Sequence, residues 1–340
     1  MTDPILTIDA VSKRFTRNPG LAERLAGRFT GGGRPVTVHA LTDVSLTVAR
    51  GEVLGIVGES GCGKSTLGRV VAGIHAPTSG RVTLNGSPVA DVRGGTVHKR
   101  TTQVQMIHQD PFASLNPRMK VGETLAEGPR HHGIIPADQV RARISALLEQ
   151  VGLEGAYADR LPHQFSGGQR QRIAIARALA MQPEVLVLDE AVASLDVSIQ
   201  AQVLNLFMDL RHQLGLTALF ISHDLSVVRH VCDRVAIMYL GRLVELAPAD
   251  RLYADPRHPY TRALFASIPT VGTGRGRFEA IKGEIPSPIA PPPGCAFHPR
   301  CPLAGPRCRA EVPRLSAAGA ARTVACHLND GGTDIQRGAA

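Results

Sequence analysis

The sequence contains no tryptophan and few aromatic residues of any kind, 4% in total. Proteins that bind single-stranded nucleic acid stack its bases on aromatic side chains, so this scarcity argues against nucleic acid as a partner. Long apolar runs are also missing: no window approaches the roughly 18 uninterrupted apolar residues of a membrane-spanning helix. Residues 1–4, Met-Thr-Asp-Pro, have neither the basic nor the apolar segment of a secretory signal. We therefore expect a cytoplasmic protein.

The 340 residues do provide an ordinary globular composition, 43% apolar and 20% charged, with ample length for one large or two modest domains. The formal net charge is +9, but the arginines are scattered and no basic arm is visible. Charge of this kind favours solubility or proximity to anionic lipid headgroups over specific binding of nucleic acid.

One stretch organises the remainder of the chain. Residues 58–65 fit the phosphate-binding loop pattern G-x-x-x-x-G-K-[ST] at every fixed position. An apolar run at 53–57 predicts a strand before the loop, and helical periodicity follows it, which a chance glycine-rich turn would not require. Lys64 would reach the β- and γ-phosphates, and Ser65 would hold Mg²⁺. The residues expected to bind nucleotide here are Gly58, Glu59, Ser60, Gly61, Cys62, Gly63, Lys64, Ser65 and Thr66.

Two further apolar runs deliver candidate catalytic residues. The run at 185–188 is typical of a central parallel strand and ends in Asp189 and Glu190, at the edge where α/β sheets place ligands. Asp189 would hold the metal, directly or through water, and Glu190 would polarise an attacking water. A second strand, at 217–221, leads to His223. Beside a phosphate site this histidine is expected to sense the γ-phosphate, although a purely structural role is the alternative.

Another glycine-rich turn, Ser166-Gly167-Gly168-Gln169, opens a predicted helix. A helix N-terminus of this kind can bind an anion, but taken alone a simple serine N-cap is the favoured interpretation. Asp196 is placed to cap the next helix, and Gln109 ends a strand predicted over 103–108. Apolar residues at helical spacing between 140 and 151 indicate core packing.

With these motifs in this order, the chain resembles the nucleotide-binding subunit of an ABC transporter. The Ser-Gly-Gly-Gln signature downstream of a phosphate loop separates that family from other P-loop ATPases. The stretches 109–119, 193–203, 258–261 and 283–288 resemble the oligopeptide/dipeptide (and nickel) importer ATPases in particular. The resemblance covers almost the whole chain.

The resemblance implies an α/β fold, that of a P-loop NTPase with an ABC-type nucleotide-binding domain over residues 1–265. A helical subdomain is expected at about 112–180 and a small cysteine-containing extension at 266–340. The implied catalytic residues are Glu190, His223, Gln109 and Lys64, and the implied Mg²⁺ ligands are Ser65, Gln109 and Asp189.

Other roles follow from the resemblance as well. Phe15 would stack on adenine, where many relatives have tyrosine. Ser166 and Gly168, with their neighbours Gly167 and Gln169, would bind the γ-phosphate of an ATP held by the opposing subunit. Asp196 would communicate across the dimer.

The mechanism implied is ATP hydrolysis between two ATP-binding subunits, which drives alternating access in two separate permease subunits. The branch favours a heterodimer of related ATPases, peripheral to the cytoplasmic face of the membrane and supplied by an extracytoplasmic substrate-binding protein. Import of nickel or another small solute remains an alternative. A soluble ABC ATPase acting on ribosomes or DNA fits poorly, because there is one phosphate loop and only residues 66–165 separate it from the signature. A non-hydrolysing regulator is disfavoured by Glu190 and His223.

Four of the six cysteines lie near the C-terminus, beyond the proline-rich stretch 286–293. In a cytosolic chain such a group indicates metal rather than disulfides. The spacing C-x5-C-x6-C-x17-C does not choose the metal. Resemblance to the peptide-importer branch favours a [4Fe–4S] cluster over zinc, with unligated thiols or ligation by His298 or His327 as alternatives. The expected cluster ligands are Cys295, Cys301, Cys308 and Cys326.

Overall fold

The structure is a computed structural model that describes residues 3–19, 35–110, 115–267, 281, 283–319 and 321–329. Two loops predicted from the sequence lie partly outside these described residues. Most of the glycine- and arginine-rich stretch 17–35, and Pro-Phe-Ala-Ser at 111–114, lie outside the described residues. The first residues of the predicted helical subdomain therefore also lie outside them.

The described strands form two sheets and a separate hairpin. They are β1 (Pro4–Arg17), β2 (Val36–Ala49), β3 (Val53–Val57), β4 (Ser79–Leu84), β5 (Ser87–Pro88), β6 (Ala90–Arg93), β7 (Thr96–Lys99), β8 (Val104–Ile107), β9 (Val185–Asp189), β10 (Thr217–Ile221), β11 (Arg234–Tyr239), β12 (Arg242–Pro248), β13 (Ser316–Ala317) and β14 (Thr323–Val324). The larger sheet has the strand order β13-β14-β12-β11-β3-β10-β9-β8, and the second sheet has the order β2-β1-β4-β5. Among these described strands, β6 and β7 pair only with each other.

Helices cover the larger sheet and build the region after the phosphate loop. They are α1 (Lys64–Val71), α2 (Val121–His131), α3 (Val140–Gln150), α4 (Gly167–Ala180), α5 (Val197–Leu214), α6 (Leu225–Val231), α7 (Ala249–Ala254), α8 (Pro259–Ala266) and α9 (Pro306–Ala310). Short 3₁₀ helices lie at Gly155–Asp159, Pro162–Gln164, His298–Arg300 and His327–Asn329. Among the described helices, none combines the length and apolar character that a membrane crossing needs.

The centre of the larger sheet is parallel and covered on both faces. Every residue of β3, β9 and β10 is buried, as unbroken apolar runs predict. Strand β10 pairs in parallel with β3 on one side and β9 on the other, and β8 pairs in parallel with β9. The carboxyl ends of these four strands therefore meet at one edge of the sheet, which is where α/β folds bind ligands.

The helical region was predicted only in part. Val140, Ile144 and Leu148 are buried on α3, as the apolar spacing predicts. The sequence pattern did not show that α2 and α3 are separate helices. The chain turns just after α2 at Gly133, whose φ of +63° is left-handed and favours glycine.

The C-terminal residues are built onto the same framework. Strand β14 pairs antiparallel with β12, placing Val324 opposite Glu245, and β13 pairs with β14. Upstream of them, the amide of His39 on β2 donates to the carbonyl of Pro288 at 2.9 Å. The division at 265/266 stays a prediction, but β14 of the extension belongs to the same sheet as β3, β9 and β10.

Candidate nucleotide-binding site

The phosphate loop connects β3 to α1 and is shaped by its glycines. Gly61 and Gly63 have left-handed φ values of +77° and +104°. A Cβ on Gly63 would also lie 2.4 Å from the carbonyl oxygen of Ala40, so only glycine fits there. Lys64, which is 5% exposed, donates from Nζ to the carbonyls of Gly58 at 2.7 Å and Glu59 at 3.0 Å. Its ammonium therefore lies inside the loop that a phosphate chain would enter.

Oxygen donors suited to Mg²⁺ lie beside this loop. Ser65 is the second residue of α1, and its hydroxyl donates to Oδ1 of Asp189, the last residue of β9, at 2.8 Å. Burial raises the pKa of the Asp189 carboxyl, and the hydrogen bond from Ser65 partly opposes that rise. A hydroxyl and a carboxylate at this distance are the donors that Mg²⁺ takes in phosphate-binding sites, so the residues fit the ion.

Side chains that follow three neighbouring strands meet at the carboxylate of Glu190. Its Oε2 accepts a hydrogen bond from Nε2 of Gln109 at 3.2 Å and lies 3.3 Å from Nδ1 of His223. Gln109 follows β8, Glu190 follows β9 and His223 follows β10, so parallel pairing brings all three together. Glu190 has a left-handed φ of +50°, a strained conformation of the kind that clusters at functional sites. Its amide is fixed by the carbonyl of Ile221 at 3.0 Å.

The signature residues form a helix start. The hydroxyl of Ser166 accepts from the amide of Gln169 at 3.3 Å, and the Gln169 side chain accepts from the amide of Ser166 at 3.0 Å. This reciprocal capping box confirms the serine N-cap that the sequence favoured for the turn taken alone. Ser166 is nevertheless exposed, and Gly168 is buried where a Cβ would lie 2.4 Å from Ile199. The turn is thus a rigid surface feature that carries a helix N-terminus.

Phe15 and Asp196 are two further residues for which the sequence predicts a role. Phe15 lies on β1, is 39% exposed, and meets the ring of His75 edge-on at 5.6 Å between centroids. The Lys13 ammonium lies 5.0 Å from the centroid of the same ring. Asp196 occupies the N-cap position of α5, as predicted, and its side chain makes no capping hydrogen bond.

Sequence patterns gave no role to two residues that contact the phosphate loop. The hydroxyl of Tyr260 on α8 accepts from the amide of Glu59 at 2.9 Å. Arg300 donates to both carboxylate oxygens of Glu59, at 2.7 and 3.0 Å. No local pattern could have found Arg300, because it follows Glu59 by 241 positions.

The four C-terminal cysteines line one pocket, which also receives His298 and His327. None of them is in a disulfide. Burial, reinforced by the neighbouring thiols, raises the pKa of Cys326 to about 11. Within the described ranges, no group of three or more histidine, cysteine or acidic side chains is arranged to hold a metal ion. The predicted thiols are therefore brought together without a preformed metal-binding geometry.

The parallel sheet has a phosphate loop after β3, a carboxylate pair at the end of β9, and a histidine after β10, the strand between them. This arrangement defines a P-loop nucleoside triphosphatase. Residues 41–193 match the ABC transporter family, and residues 244–308 match the oligopeptide/dipeptide transporter C-terminal region. The chain belongs to the ATP-binding subunits of ABC transporters, in the oligopeptide/dipeptide branch, and is an ATPase of that family.

Individual relatives cover most of the chain. The oligopeptide transport ATP-binding protein AppF of Bacillus subtilis is 45% identical, covering 96% of this chain and 98% of its own. The di/tripeptide transport ATP-binding protein DppF of Pseudomonas aeruginosa is 50% identical over 85% of this chain and 90% of its own. A solved dimeric ATP-binding cassette, in a post-hydrolysis state with ADP and phosphate, is 25% identical with a TM-score of 0.57, covering 72% of this chain and 98% of its own.

Proposed function

We propose that this chain is the ATP-hydrolysing subunit of an ABC importer for di- or oligopeptides. The observation that carries hydrolysis is the convergence of Gln109 and His223 on Glu190, next to the Ser65–Asp189 pair. The names of the relatives AppF and DppF support peptide as the substrate class. The match of residues 244–308 to the peptide-transporter C-terminal region supports the same choice.

In this proposal catalysis is positioning plus electrostatics. Lys64 and the loop amides would hold the triphosphate, and Ser65, Asp189 and Gln109 would hold Mg²⁺. The ion, when bound, would neutralise charge on the phosphate oxygens. Glu190 would accept a proton from the attacking water. His223, whose Nδ1 lies 3.3 Å from the Glu190 carboxylate, would sense the γ-phosphate.

Two subunits enclose each nucleotide in the proposed mechanism. Ser166 and Gly168, with Gly167 and Gln169, would bind the γ-phosphate of an ATP held by a second ATPase subunit. The exposure of Ser166 at a helix N-terminus and the dimeric state of the solved cassette support this arrangement. Asp196, whose side chain makes no cap to its own helix, would communicate with the other subunit.

We assign the remaining predicted roles on the same basis. Phe15 would stack on adenine, for which its exposed ring on β1 is suited. Gln109 would report the nucleotide state to the permeases. The partners would be two membrane permeases, a related ATPase and an extracytoplasmic binding protein, with this chain at the cytoplasmic face.

Reconstitution of this chain with its permeases and its ATPase partner in proteoliposomes tests the proposal. We expect the binding protein loaded with di- or oligopeptide to raise ATP hydrolysis and to produce uptake that stops without ATP. Stimulation by nickel instead of peptide would support the nickel-importer alternative. Full hydrolysis by a soluble chain that never associates with permeases would contradict the transport role.

For the cysteine module, residues 295–329, we propose a [4Fe–4S] cluster in preference to zinc. The four thiols line one pocket, and four thiolate ligands suit either a [4Fe–4S] cluster or a zinc ion. The pocket encloses about 10 Å³, roughly the room of one water, so it would have to widen to hold a four-iron cluster. His298 and His327 line the same pocket and could replace a thiol.

Anaerobic purification with metal analysis and absorption spectroscopy tests this proposal. We expect four irons per chain and a brown preparation. Cys301→Ala should remove the iron, because a cluster ligand is lost. Cys232→Ala, which changes a buried cysteine elsewhere in the fold, should retain it. A colourless preparation that contains zinc and no iron would overturn the assignment.

A further inference from the structure

The cysteine module touches the phosphate loop directly. The Arg300 side chain, which is 4% exposed, forms a two-pronged pair with the carboxylate of Glu59, the second residue of the loop. Arg300 also lies next to Cys301 and ends the 3₁₀ helix His298–Arg300. The loop and the module are therefore joined by a partly buried, charge-assisted contact.

An aromatic cluster of Phe297, Tyr239 and Tyr260 lies beside this contact. Phe297, 2% exposed, packs against Tyr239 at 5.2 Å and Tyr260 at 5.4 Å between ring centroids. The hydroxyl of Tyr260 accepts from the amide of Glu59. Glu59 is thus held at its backbone by Tyr260, which packs on Phe297 of the module. Its side chain is held by Arg300, whose amide donates to the carbonyl of Phe297 at 3.0 Å.

We propose that Arg300 is a positioning residue of the nucleotide site, through which the cysteine module sets the conformation of the phosphate loop and hence the affinity for ATP. Glu59 also presents its carbonyl to the Lys64 ammonium at 3.0 Å. Displacing Glu59 would therefore shift the lysine that meets the β- and γ-phosphates. Arginine suits the task, because its planar fork holds both carboxylate oxygens at once. The inference rests on the nucleotide site and does not depend on peptide as the transported solute.

The test measures equilibrium binding of a non-hydrolysable ATP analogue with Mg²⁺ to the full chain and its variants. For Arg300→Met we expect the Kd to rise about tenfold, since the loop loses a charge-assisted bidentate partner. Glu59→Gln should have a similar effect, and the double variant should be no worse than either single variant because both remove one contact. Arg300→Lys should recover part of the affinity. Hydrolysis should show a raised KM with kcat changed less than twofold.

The matched control is Arg307→Met in the same module. Arg307 pairs with Glu311 on an exposed face at 2.8 Å, away from the loop, so its Kd should equal that of the unchanged chain. An unchanged Kd for Arg300→Met would overturn the proposal, as would multiplicative effects in the double variant or an equal rise in Arg307→Met. Should Arg300→Met fail to fold, Glu59→Gln decides, and an unchanged Kd there would overturn the proposal equally.

Discussion

Replacing Glu190 with glutamine is expected to lower the rate of ATP hydrolysis by about 10²–10⁴-fold, the usual contribution of a general base. Glutamine keeps the size of the side chain and an oxygen for the Gln109 amide, which contacts Oε2 at 3.2 Å. It cannot accept the proton of the attacking water. Because Lys64, Ser65 and Asp189 are untouched, the Kd for ATP should change less than twofold. Single-turnover hydrolysis and nucleotide binding on the same preparation measure both quantities.

Glu184→Gln supplies the matched control for this substitution. Glu184 lies just before β9 and pairs with Arg50 at 2.9 Å, at the opposite end of the strand from Glu190. Its loss should leave hydrolysis unchanged, since surface ion pairs contribute little. A Glu190→Gln protein that hydrolyses ATP at the original rate would remove Glu190 as the base. A large loss of ATP affinity would instead assign it to binding.

The core of the site was predictable because its signals are local. The apolar runs at 53–57, 185–188 and 217–221 form buried strands, and the loop, the carboxylates and the histidine lie at their ends. A strand buried on both faces needs no knowledge of its neighbours to be recognised. The fold class and the family follow from these runs and their motifs.

Distances and long-range contacts were not predictable in the same way. That His223 and Gln109 both reach one carboxylate depends on β8, β9 and β10 pairing side by side, which no run of residues specifies. The Arg300–Glu59 pair joins residues 241 positions apart, so it depends on the C-terminal residues folding back onto the phosphate loop. The grouping of the cysteines made them a candidate metal site but gave no hint that Arg300, next to Cys301, contacts the phosphate loop.

The second large effect is expected at Ser166, from a pair of substitutions that differ in one charge. Aspartate and asparagine both replace serine well as helix N-caps, so α4 should stay folded in either variant. Aspartate would place a negative charge next to the expected γ-phosphate of the ATP held by the second subunit, and asparagine would not. We therefore expect Ser166→Asp to abolish ATP-dependent association of the two ATPase subunits. Light scattering measures this association in the Glu190→Gln background, in which bound ATP should be hydrolysed only slowly.

Ser166→Asn should retain association within about tenfold, and both variants should bind ATP as isolated chains with unchanged Kd. These results would show that the Ser166 turn binds the nucleotide of the other subunit and not the nucleotide of its own chain. If Ser166→Asp lowered the ATP affinity of the isolated chain, the residue would belong to its own nucleotide site. If both variants associated normally with ATP, the γ-phosphate would not be held by this turn, and the enclosure of nucleotide between two subunits would lose its support.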